Sequence, residues 1–212
     1  MNIDHVATLR NARGELFPSI IDAADIALKS GADSITAHLR EDRRHINDSD
    51  IKDIVTNFPG KLNLEMAATE EMLNIALNIK PFSCCIVPEK REELTTEGGL
   101  DVLSKHNQLK KFIDPLKDAG IRTSFFVDAD EVQLEKSADL DVDCLEIHCG
   151  SYCRAFDRSL NTCEDEFKKI SNIAKLASQL GIEVHAGHGL NYETTKMLSS
   201  INCLLYTSDA AD

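Results

Sequence analysis

Five short apolar runs in this chain end in a carboxylate or an imidazole, and helix-like stretches separate one from the next. They are Asn2-Ile3-Asp4-His5, Ile35-Thr36-Ala37-His38, Leu62-Asn63-Leu64-Glu65, Cys144-Leu145-Glu146-Ile147-His148 and Val184-His185-Ala186-Gly187-His188. Strands of a parallel sheet covered on both faces are expected to be nearly all aliphatic, so an ionisable group at a strand end is costly unless it lines a site. When such groups recur on strand after strand, with a helix between each pair, they converge on one mouth. The pattern predicts an α/β fold built around a chemically active opening.

Periodicity places strands over Asn2–Ala7, Ser34–Leu39, Lys61–Met66, Ser83–Val87, Arg122–Val127, Cys144–His148 and Glu183–Ala186. Helices are expected over Pro18–Ser30, Ser49–Asn57, Thr69–Asn78, Leu100–Ala119 (kinked or divided at Pro115), Glu131–Ala138, Glu164–Leu180 and Tyr192–Ser200. Glycines 31, 60, 120 and 181 follow helices where left-handed C-caps are wanted. Strict alternation means parallel strands with right-handed crossovers. Seven βα units are counted, one short of a closed (βα)8 TIM barrel. An open doubly wound sheet is the competing architecture, but the first turn reads Asp4-His5-Val6-Ala7-Thr8, without the glycines of a dinucleotide fold. Residues 1–202 are therefore read as one incomplete barrel domain. Residues 203–212, Cys-Leu-Leu-Tyr-Thr-Ser-Asp-Ala-Ala-Asp, resemble the translation of a sequencing adapter and are read as a non-native tail.

With 36 acidic against 23 basic residues and a net charge of −13, neither nucleic acid nor an anionic membrane is expected as a partner. Local basic clusters at Arg40, Arg43 and Arg44 still allow small anionic substrates. No apolar stretch is of spanning length, and seven cysteines without a secretory leader fit reduced thiols in a cytoplasm.

Six ordered blocks carry a more specific signal. Asn2 to Gly14 (NIDHVATLRNARG), His38 to His45 (HLREDRRH), Asn63-Leu64-Glu65-Met66, Val87 to Arg91 (VPEKR), Thr95 to Val102 (TTEGGLDV) and Ala186 to Leu190 (AGHGL) resemble the pyridoxine 5′-phosphate synthase family. The resemblance runs from Asn2 to about Asn202. It implies a (βα)8 barrel that forms homo-oligomers and condenses 1-deoxy-D-xylulose 5-phosphate with 3-amino-2-oxopropyl phosphate. The products are pyridoxine 5′-phosphate, phosphate and water, and no cofactor is needed. Two departures stand out: the family's eighth unit, with a phosphate-holding Gly-His turn, has no counterpart after Asn202, and Met1 stands where the family's first strand is already under way. The chain is accordingly read as truncated at both ends, which opens the alternative of an inactive or merely ligand-binding fragment.

By the same resemblance His38 and Glu65 are the expected bases, His188 the proton donor, and Glu146 the carboxylate that stabilises the transition state. Asp4, His5, Arg40, His45 and Thr95 are expected to contact the deoxyxylulose phosphate, and Asn2, Arg13 and Gly189 the amino-ketone phosphate. Imidazole titrates near neutrality, and an enclosed carboxylate can be raised toward it. Arginine presents paired donors to phosphate. Pro88–Gly99 reads as a lid. His148, Cys149 and Cys153 lack the spacing of a zinc site, so no metal is expected. Another phosphosugar lyase or isomerase on the same barrel would need an active lysine or a metal cluster; neither Lys61 nor Lys90 ends an apolar strand, and no metal cluster stands out. His106 and His185 are assigned packing or solvent roles only.

Overall fold

A computed structural model describes residues 1–89, 98–158 and 160–207. Seven parallel strands form one sheet in chain order: β1 (Ile35–His38), β2 (Leu62–Met66), β3 (Ser83–Ile86), β4 (Arg122–Val127), β5 (Cys144–His148), β6 (Glu183–Gly187) and β7 (Leu204–Thr207). Helices α1 (Asp4–Arg13) and α2 (Ile20–Lys29) precede β1. Then α3 (Asp48–Asn57), α4 (Glu70–Ile79), α5 (Val102–Asp118) and α6 (Glu131–Ala138) follow the first four strands in turn. A pair, α7 (Gly150–Arg158) and α8 (Leu160–Gln179), follows β5, and α9 (Tyr192–Leu198) follows β6. This is an incomplete TIM-type barrel, as the alternation predicts.

Each strand alternates in a way that separates cohesion from chemistry. Ile35, Ala37, Leu62, Leu64, Phe125, Val127, Leu145, Ile147, Val184 and Ala186 belong to the main apolar cluster, together with helix residues such as Ile51, Met72, Ile113, Leu116 and Ile173. The intervening positions, Thr36, Asn63, Ser83, Ser124, Cys144 and His185, line a cavity of about 920 Å³ inside the sheet. Within it Asn63 Nδ2 donates to Thr36 Oγ1 (3.3 Å) and Ser83 Oγ to Asn63 Oδ1 (2.7 Å). Polar side chains thus enter a lumen whose lining also includes Met1, Phe82, Leu190 and Leu205, while the main apolar cluster joins sheet and helices.

Four of the expected turns are confirmed in detail. Gly31, Gly60, Gly120 and Gly181 all have positive φ, at 105°, 73°, 75° and 79°. Three expectations are corrected. Asn2–Ala7 is not a strand: only Asn2 bridges to Thr36, and the chain turns into α1 at Asp4. The side chain of Asn2 drives that turn, because its Oδ1 accepts from Asp4 N–H (2.7 Å) and its Nδ2 donates to Asp4 Oδ2 (3.0 Å). α5 runs through Pro115 as one helix, with the proline in its last turn. The segment after Asn202, expected to hold no strand, contributes β7, which pairs in parallel with β6 from Val184↔Leu204 to Gly187↔Thr207.

α1 is fastened to α3 by a near-buried fork. Arg10 donates to both carboxylate oxygens of Asp50 (2.6 and 2.9 Å), and Asp50 also accepts the Asn47 N–H that closes the α3 capping box. Arg10 and Asn11 then reach the His45 carbonyl at 3.3 and 2.8 Å. Asp50→Ala is expected to lower the free energy of unfolding by about 2 kcal/mol, since cap and ion-pair bonds are lost together. Urea denaturation would show this, and a loss within error of zero would mean the fork adds nothing net.

Candidate active site

β1 and β2 set the first group. Their register places His38 opposite Glu65 at the C-terminal ends of adjoining strands. His38, 6% exposed, has a carboxylate on three sides. Its N–H donates to Asp4 Oδ1 (2.9 Å), Nε2 lies 2.9 Å from Glu89 Oε1, and Nδ1 lies 3.9 Å from Glu65 Oε2. A carboxylate only accepts, so Nε2 carries the proton toward Glu89, and the Nδ1 edge is turned to Glu65. Burial works to raise the Glu89 carboxyl, but the bond from His38 and the Glu41 N–H outweigh it and the net shift is downward. Glu89 thus stays anionic and fixes the ring.

His45 packs against His38 with ring centroids 6.0 Å apart. Its Nδ1 accepts from Ile46 N–H (2.9 Å), and burial lowers its pKa from the ordinary range. It is therefore a neutral imidazole whose Nε2–H is available as a donor. Arg40 is buried at 3% exposure, beside Asp42 at 3.5 Å.

The second group stands at the ends of β4, β5 and β6. Glu146, 3% exposed, accepts from the Cys85 thiol at 3.9 Å, and burial pushes its carboxyl up to about 7. His148 ends β5, with Nδ1 2.9 Å from Asp128 Oδ1; that bond holds the Asp128 carboxyl below its usual range. The rings of His148 and His188 lie 5.1 Å apart, and Phe126 packs on both, at 5.2 and 6.2 Å. His188 (φ 70°) and Gly189 (φ 76°) form a left-handed turn. At Gly189 the positive φ is what favours glycine, since an added Cβ would meet Cys153 and the Gly150 backbone only at ordinary contact distances, 3.5 and 3.8 Å.

Of the residues singled out from sequence, Asp4, His38, Glu65, Arg40 and His45 lie around the first group, with Asn2 held to Asp4. Glu146, His188 and Gly189 belong to the second. His5 is exposed on the first turn of α1. Arg13 lies at the exposed far end of that helix, paired with Glu15 at 3.1 Å, so the structure does not bring it to the mouth. Thr95 and most of the expected lid lie outside the described residues, as does Lys90. Lys61 opens onto the lumen at the opposite end, where its Nζ donates to the Asp33 carbonyl (3.1 Å), and this placement removes the lysine-aldolase alternative from that residue. Sequence reading missed Glu89 and Asp128, the two carboxylates that hold His38 and His148. Asp128 directly follows the last residue of β4, and Glu89 lies in the Val87–Arg91 block just past β3.

Among the described residues two sets of side chains have metal-ligand chemistry, Asp4–His38–Glu65 and Cys144–Glu183–His185. The first is engaged by the bonds above. In the second, at the far end of the lumen, Glu183 already pairs with His185 (2.9 Å) and Arg122 (3.3 Å).

Fold and mouth together define a parallel barrel of the acid–base class, with imidazoles and carboxylates gathered where the strands end. The model of the family described as the pyridoxal phosphate biosynthesis protein PdxJ matches residues 1–208, and the chain belongs to that family. It is 52% identical over 202 residues to a pyridoxine 5′-phosphate synthase of Rhodopseudomonas palustris, covering 95% of this chain and 79% of the relative. It is 50% identical over 203 residues to a protein of the same name from a Wolbachia of Culex pipiens, covering 95% and 84%. Among solved structures, one described as native KDPGal superposes with a TM-score of 0.60 at 10% identity, covering 89% of this chain and 75% of the other, which shows the shared barrel fold alone. No helix among the described residues is long and apolar enough to cross a membrane.

Proposed function

We propose that this chain condenses 1-deoxy-D-xylulose 5-phosphate with 3-amino-2-oxopropyl phosphate, giving pyridoxine 5′-phosphate, phosphate and water. The observation that carries the reading is His38, fixed by Glu89 with its other edge on Glu65, at the mouth of a chain half-identical to proteins of that name. The amine attacks the ketone carbonyl, water leaves to give an imine, and successive proton transfers lead to loss of phosphate and to ring closure, in which a second water departs. Glu65 and His38 take protons from carbon and nitrogen, and His188 returns one to a departing oxygen. Glu146, beneath them in the lumen, meets the cationic imine when ionised. Arg40 and the Nε2–H of His45, with Asp4, fit the deoxyxylulose phosphate, while Asn2 and the Gly189 amide fit the amino-ketone phosphate. The chain works as a homo-oligomer in the cytoplasm, on small phosphorylated substrates.

The direct test is the formation of pyridoxine 5′-phosphate from the two substrates by the purified chain, followed by the absorbance of the product ring. Product and inorganic phosphate are expected in equal amounts. A folded chain that yields neither would favour the ligand-binding reading.

A further inference from the structure

Three side chains at the end of the lumen opposite the mouth share one face of two neighbouring strands. Cys144 opens β5 and Glu183 opens β6, and the parallel register sets them directly opposite each other. His185 follows Glu183 by two residues and so shares its face. All three line the cavity of about 920 Å³, which gives a ligand room in front of them. The Cys144 sulfur, a carboxylate oxygen of Glu183 and a ring nitrogen of His185 lie within 4.8 Å of one another. Cys144 is only 4% exposed, yet it belongs to neither apolar cluster, so its thiol is not spent on packing.

The donor set selects the ligand. One sulfur, one imidazole and one carboxylate suit a borderline-soft cation such as Zn²⁺, whereas Mg²⁺ and Ca²⁺ want shells of oxygen. Tetrahedral bonds of about 2.0–2.3 Å place ligand atoms about 3.4–3.6 Å apart, a spacing that small side-chain rotations supply here. Thiolate and carboxylate together carry the two negative charges that a dication needs. With a proton in that place, His185 Nε2 and Glu183 Oε1 share it at 2.9 Å, and a metal would take over from that proton and from the one on sulfur. Two cations line the same cavity, and both are held. Lys61 Nζ donates to the Asp33 carbonyl (3.1 Å), and Arg122 lies over the Phe82 ring (5.4 Å) within 3.3 Å of Glu183. A carboxylate has two oxygens, so Arg122 can keep one and orient the group while the metal takes the other.

We infer that Cys144, Glu183 and His185 form a zinc site at the foot of the barrel, with the fourth position open to water in the lumen. The ion ties β5 to β6 at the end remote from the mouth. It stands independently of the proposed reaction, and it gives a role to His185, for which the sequence suggests only packing or solvent.

Cobalt reads the ligands directly. Titrated with Co²⁺ under a non-thiol reductant, the full chain is expected to develop a thiolate-to-cobalt charge-transfer band in the near ultraviolet that saturates at one equivalent and is displaced by Zn²⁺. The Asp4–His38–Glu65 set holds no sulfur and cannot give this band. Cys144→Ser is expected to abolish it. His185→Gln and Glu183→Gln, at partly exposed positions where folding is retained, should each weaken Zn²⁺ binding by about 100-fold or more, beyond what losing an outer-sphere partner costs. Zn²⁺ should also raise the Tm of the wild type but not that of Cys144→Ser. Absence of the band, its persistence in folded Cys144→Ser, or unchanged Zn²⁺ affinity in both glutamine variants would overturn the site.

Discussion

Glu146→Gln is expected to make the protein more stable above neutral pH and at the same time to remove most of its turnover. The carboxyl is all but sealed inside the sheet, and burial raises it to about 7 from an ordinary 4.5; the Cys85 thiol and the N-terminal ammonium offset only part of this. A carboxyl raised on folding contributes its full stability below the unfolded pKa and loses it as pH climbs through the folded one. Between pH 4.5 and 7 the unfolded chain ionises first, and stability declines by about 1.4 kcal/mol per unit, a total near 3 kcal/mol by pH 8. Glutamine has the shape of the protonated acid and cannot ionise. The difference in unfolding free energy between variant and wild type should therefore grow by about 3 kcal/mol from pH 4.5 to pH 8. Denaturant melts at the two pH values measure this directly, and parallel behaviour would mean that the Glu146 carboxyl is not desolvated. If Glu146 meets the cationic intermediate, kcat should fall by about two to three orders of magnitude, the usual effect of deleting one preorganised electrostatic partner.

Glu65→Gln should reduce kcat by roughly 10³, within the range for a general base, with little change in melting temperature. Glutamine preserves the size and polarity of the side chain but cannot take a proton. Because Glu65 faces the free edge of His38 at 3.9 Å, the two are expected to act on the same proton transfers. The double variant Glu65→Gln/His38→Asn should then be scarcely worse than the poorer single one, as for groups that work as a unit. Steady-state rates of the four proteins decide the point. Multiplicative losses would show that the two residues serve separate steps.

The residues that bear charge at strand ends were legible in the sequence because they violate the aliphatic rule for buried parallel strands. His38, Glu65, Glu146 and His188 stand out in this way, and all four stand at the mouth or just beneath it. The glycine C-caps were legible for a similarly local reason, since only a left-handed residue fits there. The segment around Asp4 was not. Its Asn-Ile-Asp-His-Val-Ala run suits a strand, and what turns it into α1 is the Asn2–Asp4 pair of hydrogen bonds together with contacts to β1 that are thirty residues away. Glu89 and Asp128 were missed because each lies just past a strand, where a carboxylate reads as an ordinary solvated loop residue. Only the three-dimensional register puts an imidazole within 3 Å of each. β7 was not expected because residues 203–212 resemble an adapter translation and read as a non-native tail, whereas Leu204–Thr207 pairs in parallel with β6.

The two faces of each strand answer to different kinds of selection. Positions such as Leu64, Phe125 and Ile147 are locked into helix–sheet packing, where a lost methylene is felt at once. Positions such as Asn63, Ser83 and Ser124 line the lumen instead, outside that helix–sheet packing. A lineage carrying this fold can therefore retune what happens inside the cylinder, one substitution at a time, without first having to reinvent the protein that surrounds it.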